Sequence, residues 1–520
     1  MFRLILFTTL MIVCSNCVNI LVIMPSPLYS HQAAFRGLWE KLASRGHNIT
    51  VVTTEPENHE RLPNLNKISL LESRNIWKKV FKEETREEVS FWKVNDMFYR
   101  IGEAVTSYQL AQPNIQNLIH KKDNLHFDLV MVEVFYPEFL AFGKIYNAPT
   151  ILLATLGCTI ATYQRFGNPV HPALNPGLNV PFAGSLTFKE RLFSTLHQLY
   201  HMLSEHFIVL PRKQKIIDKY FGDVVNTEIN DLLKNVDLML LNGNHILDSP
   251  RALGPNIINV GGSNLLQPLK PLSKDLQEFL DSSENGFIYF SLGSIIKSKE
   301  LSNNTLLNIM KAFEQIPFKV VWKFESSLSL NVIETVKLVK WAPQQDILRH
   351  PNIKAFITQC GIHSIEEAVL AQVPIIAMPF FGDQLKNARI VENKNIGKQI
   401  YHKPALSYKD LRDAIMEVTH NEKYKSSIRK LASLLGDEPM SGLEKAVWWT
   451  EYVIRNRGAK ELRNPASDIP LYQFYLLDIL GFIFFTSFLF CYIINKLFSK
   501  FQQYFMRRWK NWNDPKLKTH

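Results

Sequence analysis

Short apolar runs alternate with helix-like patterns from residue 19 onward. Residues 19–24 are apolar and are followed by Pro25, which predicts a short buried strand. A helix is predicted to follow and to end at Gly46, because apolar residues recur every three or four positions: Phe35, Leu38, Trp39 and Leu42. Residues 49–53 form the next strand-like run. This strand–helix–strand order predicts a parallel sheet.

The alternation of strand-like and helix-like patterns is interrupted once and then resumes. Residues 250–275 are rich in Pro, Gly, Ser and Asn, as interdomain linkers are. We therefore predict two doubly wound α/β domains, residues 18–255 and 281–470, joined by a linker at 256–280, with a return helix at the end of the second domain. In such folds ligands bind at the carboxyl ends of the strands. Further strands and one helix are predicted at residues 127–133, 149–154, 287–291, 301–313 (the helix), 319–322, 355–358 and 374–378.

Two long segments of the first half allow two interpretations. Residues 75–120 and 185–220 are charged and helix-forming, with scattered aromatic side chains. They fit the walls of a variable ligand pocket and fit amphipathic packing helices equally well.

The two ends of the chain predict an exported protein with a membrane anchor. Residues 1–17 carry Arg3, an apolar run and then small residues, which is the order of a secretory signal peptide. Residues 471–495 are apolar for long enough to span a bilayer, and Asp478 lies near the first end of the span. Residues 496–520 hold seven Lys and Arg against one Asp. The positive-inside rule places this basic tail in the cytosol and the body in the lumen.

Three short motifs fit a luminal body in the endoplasmic reticulum. Lys516 and Lys518 resemble a dilysine retrieval signal, which predicts a single-pass type I protein of that membrane. Asn48 and Asn303 begin glycosylation sequons of the Asn-X-Thr type. Asn48 also opens a predicted strand, where a glycan would fit poorly.

Composition narrows the class of protein. With 46 % hydrophobic and 21 % charged residues the chain is expected to fold rather than to be disordered. More than half of the net charge of +11 lies in residues 496–520, so no nucleic-acid partner is expected. Only Cys158 and Cys360 lie in the body, which excludes a disulfide scaffold and leaves one bridge open. The sequence carries no signal for or against a homo-oligomer.

Several motifs of the second domain place aromatic and polar groups at predicted strand ends. Trp341-Ala-Pro-Gln344 offers an indole on which a base can stack. Residues 356–367 predict a strand, a tight turn permitted by Gly361, and a helix that starts near Ser364 and can bind a pyrophosphate at its N-terminus. Three further side chains can bind the hydroxyl groups of ribose and of a sugar: Glu367, Asp383 and Gln384.

The motifs at 341–344, 356–367 and 381–384 resemble, in order and spacing, the signature of the UDP-glycosyltransferase family. That family includes the membrane-bound animal UDP-glucuronosyltransferases and insect-type members, and the similarity runs from about Val18 to the tail. The resemblance implies a GT-B fold, with two Rossmann-like domains that face each other across a cleft, and no metal or other cofactor. It implies a hexosyltransferase that moves glucuronate or glucose from UDP, with inversion, to a hydroxyl of small lipophilic acceptors, as in detoxification.

The resemblance also implies roles for residues of the second domain. Trp341 would stack on uracil with Gln344 nearby, while Glu367 would bind the ribose. Asp383 and Gln384 would bind the transferred sugar. The phosphates would be held by a second set of residues: Ser294, Gln359, Gly361, His363 and Ser364.

The chemistry would come from the first domain. His31 occupies the position of the family's catalytic His, in the loop after the first strand, and a neutral imidazole is a suitable general base for an alcohol. Such a His needs a carboxylate on its other nitrogen. The family uses Asp there; here Glu133 matches that position, and Asp128 is the competing candidate at the start of the strand.

Two departures from the family pattern support a second interpretation. Gln359 replaces the usual His of the signature and cannot carry a positive charge, and His363 replaces a usual amide. Together with Glu133 these replacements would fit a non-catalytic luminal protein that binds nucleotide sugars or lipophilic molecules.

Overall fold

The computed structural model describes residues 17–56, 62–85, 90–121, 124–248, 250–261, 270–326, 332–401 and 406–512. The chain forms two compact units, a body that ends at Asn464 and a second unit that begins at Pro465. The predicted signal peptide lies outside the described residues except for Cys17. Lys516 and Lys518 of the predicted retrieval signal lie outside them as well.

A seven-stranded sheet forms the core of the first half of the body within the described residues. Its spatial order is β3-β2-β1-β4-β5-β6-β7, and all neighbours are parallel. The order reverses between β1 and β4, and such a switch point is where open α/β sheets bind ligands. In chain order the strands are β1 (Asn19–Met24), β2 (Asn48–Thr53), β3 (Leu65–Ser69), β4 (Leu129–Glu133), β5 (Thr150–Ala154), β6 (Leu238–Leu241) and β7 (Ile257–Asn259).

Helices cover both faces of this sheet. On one face, Phe35 and Leu38 of the first helix pack against Ile20 and Val22 of β1. The other face is covered by several of the later helices. These helices are α1 (Tyr29–Ser44), α2 (Ser73–Glu84), α3 (Val94–Leu110), α4 (Pro113–His120), α5 (Ala141–Tyr146), α6 (Ile160–Arg165), α7 (Phe188–Ser204), α8 (Leu210–Phe221) and α9 (Ile229–Lys234). A π-helical turn, Glu205–Val209, joins α7 to α8.

The second half of the body repeats this plan with a six-stranded parallel sheet in the order β10-β9-β8-β11-β12-β13. Its switch point lies between β8 and β11. The strands are β8 (Phe287–Ser291), β9 (Lys319–Lys323), β10 (Val336–Val339), β11 (Ile353–Thr358), β12 (Ile375–Ala377) and β13 (Gly397–Gln399). Its helices are α10 (Lys274–Asp281), α11 (Asn303–Phe313), α12 (Gln344–Leu348), α13 (Ile362–Leu370), α14 (Asp383–Asn393), α15 (Tyr408–His420) and α16 (Glu422–Gly436).

The last long helix of the body, α17 (Gly442–Asn456), returns to the first domain. Its buried Ala446, Val447 and Val453 belong to the same hydrophobic cluster as β1 and α1. Beyond α17, Asp237 accepts a hydrogen bond from the backbone N–H of Ala459 at 3.1 Å. The first domain is therefore completed by the C-terminal end of the body.

The predicted doubly wound α/β fold is confirmed. Every strand that we predicted is present, and its ends lie within two residues of the prediction. The predicted linker 256–280 contains β7, which pairs with β6 in the first sheet, and most of α10. The exact limits of the domains remain predictions.

The second unit consists of a short helix, α18 (Leu471–Phe474), and a long one, α19 (Leu477–Trp512). Among the described residues α19 alone is long and apolar enough to cross a membrane, with a mean hydropathy of 2.2 in its most apolar part. The predicted span 471–495 falls on these two helices.

Candidate active site

The side chain of Gln32 holds the loop after β1 in place. Its Nε2 donates to the carbonyl oxygens of Met24 (2.7 Å) and Ser26 (2.8 Å), and Thr53 donates to its Oε1 at 2.7 Å. Gln32 is fully buried, so these bonds satisfy an amide that has lost its water. The preceding residue, His31, is thereby fixed in the first turn of α1, at the carboxyl end of β1.

His31 and Glu133 meet at the switch point of the first sheet. His31 Nδ1 lies 2.5 Å from Oε1 of Glu133, which is the last residue of β4. The backbone N–H of Ser26 donates to the other carboxylate oxygen at 3.0 Å, and Thr155 Oγ1 lies 3.2 Å from Nδ1. Among the described residues no hydrogen-bond partner is found for Nε2. The ring is therefore oriented through Nδ1, while Nε2 is left for a substrate.

Asp128, the competing carboxylate, lies at the opposite end of β4. Its Oδ2 accepts from the backbone N–H of Asn19 at 2.8 Å, and its Oδ1 lies 3.0 Å from His126 Nε2. Since β1 and β4 are parallel, the contact with Asn19 marks the amino ends of both strands. Asp128 cannot reach His31 from there.

Residues 359–364, which the resemblance assigns to the phosphates of the sugar donor and which we call the donor turn, follow β11. The residue with positive φ is Cys360 (φ 65°), whereas Gly361 is extended (φ −60°) and precedes α13. The prediction that Gly361 makes the tight turn is therefore wrong, whereas α13 begins at Ile362, two residues before Ser364, near which its start was predicted. Cys158 and Cys360 are both buried and free, so no bridge joins them.

The lack of a side chain on a glycine beside this turn leaves space for the side chain of Gln359. Gly293, between β8 and Ser294, has a φ of 73°, and a Cβ on it would collide with Nε2 of Gln359. Gly293 and Ser294 therefore approach the Gln359 turn at the switch point of the second sheet.

The predicted nucleoside residues are linked by hydrogen bonds. Gln344 Nε2 donates to Glu367 Oε2 (2.6 Å) and to Ser364 Oγ (3.1 Å), and Gln345 donates to the other oxygen of Glu367 at 3.0 Å. Burial raises the pKa of Glu367, and the two amides oppose the rise. Trp341 is 59 % exposed. Its ring and that of Tyr29 from the first domain are nearly perpendicular, with 5.4 Å between the ring centroids. Its indole is thus accessible to a base.

The predicted sugar-binding residues begin α14. Asp383 Oδ2 accepts from Asn387 Nδ2 at 2.8 Å, and the same amide group donates to Cys360 O at 2.9 Å. Gln384 Oε1 accepts from the backbone N–H groups of Phe380 and Phe381, so this side chain also fixes the loop before α14. Burial raises the pKa of Asp383, while its bond to Asn387 and the nearby His31 lower it. Asp383 is therefore close enough to His31 for the two charges to interact.

His363 also lies at the cleft. Burial and, to a lesser extent, nearby His31 lower the pKa of His363 to about 4, against the opposing effect of a hydrogen bond to the backbone of Thr155. His363 is therefore neutral at pH 7. Because Gln359 is uncharged as well, neither of these two replacements supplies positive charge to the phosphates.

Lys323 is a cation near the donor turn that sequence reasoning missed. Its Nζ donates to the carbonyl oxygen of Gly293 at 2.6 Å, lies 3.4 Å from Glu325 and sits 5.1 Å from the Trp341 ring. Burial lowers its pKa, and an anionic diphosphate beside it would favour its charged form. Its position at the end of β9, next to the switch point, is the signal that could have identified it.

Two cavities lie at opposite ends of the strands. One of about 480 Å³ is lined by residues of both domains, among them Leu28, Tyr29, Ser294, Lys323 and Trp341. The other, of about 1640 Å³, reaches the amino ends of β4 and β5, and of the candidate residues only Asp128 lines it. Parallel sheets bind ligands at their carboxyl ends, so we assign the smaller cavity to the site.

The two sequons lie on the surface. Asn48 is exposed at the start of β2, and its Nδ2 donates to Asn19 Oδ1 at 3.0 Å. Asn303 is exposed at the start of α11, just after the capping residue Ser302. No cluster of His, Cys, Asp and Glu suited to a metal ion is found in the part of the chain that the structure describes.

Comparison with known proteins finds relatives of one family along nearly the whole chain. The family described as "UDP-glucoronosyl and UDP-glucosyl transferase" matches residues 19–511. UDP-glucosyltransferase 2 of Dactylopius coccus is 32 % identical over 99 % of this chain and 98 % of its own length. UDP-glucuronosyltransferase 1A8 of Rattus norvegicus is 31 % identical over 87 % of this chain and 86 % of its own length.

Solved structures share the fold at low sequence identity. Os79 from O. sativa, in complex with U2F and trichothecene, has a TM-score of 0.57 at 15 % identity and covers 84 % of this chain and 100 % of its own. The calicheamicin glycosyltransferase CalG4 has a TM-score of 0.55 at 17 % identity, with 85 % and 99 % covered. The expected GT-B fold is confirmed by this likeness.

Proposed function

Because the chain belongs to the family of UDP-glucuronosyl and UDP-glucosyl transferases and so moves a sugar from UDP to an acceptor, we propose that His31 is its general base and Glu133 the carboxylate that orients it. The observation that carries this proposal is the 2.5 Å contact between the two side chains at the switch point of the first sheet. The same contact favours an active enzyme over a protein that only binds nucleotide sugars.

The proton transfer follows from the orientation of the ring. Glu133 holds the proton on Nδ1, so Nε2 has a lone pair that can accept the proton of an acceptor hydroxyl. As the proton moves to Nε2, the acceptor oxygen forms a bond to the anomeric carbon. The bond from that carbon to the phosphate oxygen breaks, and its electron pair leaves with UDP. The buried carboxylate then stabilises the imidazolium, and the family resemblance implies inversion.

The charge that develops on the diphosphate needs separate stabilisation. Gln359 and the neutral His363 supply none, so we assign this role to the N-terminus of α13, with Ser294, Gly361 and Ser364 around it. Lys323 adds the positive charge that the turn itself lacks. Trp341 stacks on uracil, and Gln344 and Glu367 bind the ribose.

For the transferred sugar we propose glucose rather than glucuronate. Asp383 and Gln384 offer a carboxylate and an amide to the hydroxyls of the sugar, and neither supplies the positive charge that would favour a uronate carboxylate. The cation nearest to them along α14, Lys386, lies 3.1 Å from Asp248. Equal initial rates with UDP-glucuronate and UDP-glucose, or a preference for UDP-glucuronate, would contradict the assignment. The acceptors we propose are small lipophilic alcohols and phenols, of the kind that detoxification enzymes conjugate.

The test of the base uses a matched histidine at the far end of the same strands. In His31→Ala we expect kcat to fall about 10²–10⁴-fold, while UDP still stabilises the protein against heat. In the control, His126→Ala, a histidine paired with Asp128 is removed and kcat should not change. Unchanged turnover in His31→Ala would refute the assignment, and loss of UDP binding would show a folding defect instead.

We further propose that the protein is a single-pass type I protein of the endoplasmic reticulum membrane, with α19 as its anchor and the body in the lumen. The apolar first part of α19 and the basic residues from Lys496 onward support this. Asn303, exposed at the start of a helix, is the more accessible of the two sequons. Expression in cells, followed by glycosidase treatment, should give a mobility shift that Asn303→Gln removes; no shift in the wild type would contradict a luminal body.

A further inference from the structure

Thr155 lies between the proposed general base and the second domain. It follows β5 and is fully buried. Its Oγ1 lies 3.2 Å from Nδ1 of His31, and its carbonyl oxygen accepts from Asn242 Nδ2 at 3.3 Å. A further hydrogen bond joins its backbone to His363, a residue of α13 in the second domain. One buried residue thus contacts the base with its side chain and the opposite domain with its backbone.

The side chain of Thr155 is suited to transmit a movement of its backbone. A β-branched side chain is stiff at χ1, and close packing around a buried residue leaves little space for another rotamer. The position of Oγ1 therefore follows that of the backbone, which is held by Asn242 from the first domain and by His363 from the second. A shift of α13 relative to β5 would reach His31 through this oxygen.

Thr155 adds a second restraint at the nitrogen that Glu133 already contacts. Compared with Asp, Glu has one more rotatable bond, so its carboxylate alone defines the orientation of the ring less strictly. Oγ1 of Thr155 approaches the same Nδ1 and can share its N–H with the carboxylate. When the acceptor proton arrives on Nε2 of His31, the ring becomes charged, and hydrogen bonds to a charged group are the stronger ones.

Helix α13 contacts the donor residues and the first domain at once. Glu367 accepts from Gln344, and the family resemblance places both at the nucleoside. Four residues earlier, His363 bonds across the cleft to the backbone of Thr155. Glu366, the neighbour of Glu367, forms a hydrogen bond with the first domain as well. The helix that binds the donor therefore also sets the backbone beside the base.

We propose that Thr155 is a positioning residue for His31, through which the docking of α13 on the first domain aligns the general base. The base is then correctly oriented only when the second domain, with its donor, has closed on the first. In this arrangement His363 acts on the base rather than on the phosphates. This role of Thr155 rests on the proposed function of His31 as the general base.

The hydroxyl of Thr155 is tested by two substitutions that separate packing from hydrogen bonding. Thr155→Val keeps the volume and removes the hydroxyl, whereas Thr155→Ser keeps the hydroxyl and removes a methyl group. In Thr155→Val we expect kcat to fall about tenfold or more, with an unchanged KM for the UDP-sugar, because a hydrogen bond to the imidazolium is lost. Thr155→Ser should retain most of the activity, and a role in packing alone would reverse this order.

The control is a second buried threonine. Thr450 is fully buried on α17, and Thr450→Val should leave kcat unchanged. An unchanged thermal midpoint and stabilisation by UDP show that each variant is folded. If Thr155→Val is unstable, the comparison of Thr155→Ala with Thr155→Ser replaces it, since these two side chains differ only in the hydroxyl.

The link to α13 is tested by combining Thr155→Val with His363→Leu. Alone, His363→Leu should lower kcat about 2- to 30-fold, because the backbone of Thr155 loses its contact with the second domain. In the Thr155→Val background the same substitution should cause no further loss, because the oxygen through which it acts is already absent. Losses that multiply, or a raised KM for the UDP-sugar in His363→Leu, would show that His363 acts on the donor and would overturn the link.

Two results separate the role of Thr155 from the assignment of the base. If His31→Ala lowers kcat as expected while Thr155→Val keeps the wild-type kcat, Thr155 has no positioning role and the base stands. Unchanged turnover in His31→Ala would refute the base and, with it, the role of Thr155.

Discussion

Glu133 contacts His31 at the position where the family usually has Asp, and its side chain is one methylene longer. The end of β4 and the loop after β1 accommodate the extra length, since Ser26 N–H binds one carboxylate oxygen and His31 the other. The carboxylate is fully buried, and burial without these partners would be costly. Glu133 therefore acts as a positioning residue for the ring.

Replacing Glu133 should separate charge from geometry. In Glu133→Gln the amide can donate to Nδ1, which favours the wrong tautomer and removes the partner of the imidazolium, so kcat should fall about 10²–10⁴-fold. Glu133→Asp keeps the charge and should retain most of the activity. Steady-state kinetics check this, with an unchanged KM for the UDP-sugar expected in both. Equal losses in the two variants would point to a packing defect instead.

Glu366 should make stability depend on pH. Burial raises its pKa to about 8; a hydrogen bond to Asn242 opposes this rise, and the charge of Glu367 adds to it. Because the folded state holds this proton more tightly than the unfolded state, its contribution is complete below about pH 4.5 and is lost as pH rises to about 8.

The variant Glu366→Gln has a neutral amide at this position and cannot become negatively charged as the pH rises. We expect its unfolding midpoint to exceed that of the wild type at pH 8.5 and the difference to shrink toward pH 5, with about 2–4 °C for each kcal/mol. Differential scanning fluorimetry at the two pH values measures it. A difference that does not change with pH would refute the shifted pKa.

At the scale of elements, burial decides what the sequence could predict. The central strands β1, β4, β5, β8 and β11 are almost wholly buried, and their continuous apolar runs predicted them to within two residues. The edge strands β3 and β10 are largely half-buried and mix Lys with apolar residues, so no run marks them. β7 has three residues inside a Pro- and Gly-rich stretch, which explains why its segment was read as a linker.

The sequence predicted the details of the candidate site less well than it predicted the strands. The motifs predicted a turn after β11, which the structure contains, but they could not show that the positive φ falls on Cys360 or that Lys323 approaches from β9. The segment 185–220 was predicted to be helical, yet its sequence cannot show which side of α7 faces solvent. Those features depend on contacts between distant parts of the chain.

The capping box of α17 should contribute measurably to stability. Ser441 Oγ accepts from the N–H of Glu444, whose carboxylate in turn accepts from the N–H of Ser441. Ser441→Ala removes one half of this arrangement and should lower the free energy of unfolding by about 1 kcal/mol. Urea unfolding measures the loss, and Ser426→Ala, an exposed serine inside α16, serves as the control. A loss no greater than the control's would mean that the end of α17 does not limit unfolding.

At the scale of the whole molecule, the two domains meet around the site. Tyr29 contacts Trp341, Phe81 lies 5.6 Å from Phe381 between ring centroids, and Asn393 donates to the carbonyl oxygen of Ala183 at 3.1 Å. Each contact joins one element of the first domain to one of the second. A ligand in the cleft therefore stabilises both domains at once.

UDP should raise the unfolding midpoint of the body as a whole. At a UDP concentration of about 100 times its Kd, the gain in the free energy of unfolding is about 2.7 kcal/mol. At the same UDP concentration, Trp341→Ala should reduce this gain by about 1–2.5 kcal/mol, because the uracil loses its stacking surface. Thermal shift with and without UDP checks the prediction, with Trp448→Ala as the control for an exposed tryptophan elsewhere. Equal gains in Trp341→Ala and the wild type would remove uracil stacking from the site.

The return of α17 to the first sheet limits how the two domains can be exchanged between relatives. A chimera joined once, near residue 260, would place a foreign α17 on the cluster of β1 and α1, with mismatched side chains at Ala446, Val447 and Val453. A second junction, before Ser441, keeps residues 441–464 with the first domain that they complete. If the first domain binds the acceptor and the second the donor, as we propose, a transfer of acceptor specificity between relatives requires two sequence segments, and a transfer of donor specificity requires the single stretch between them.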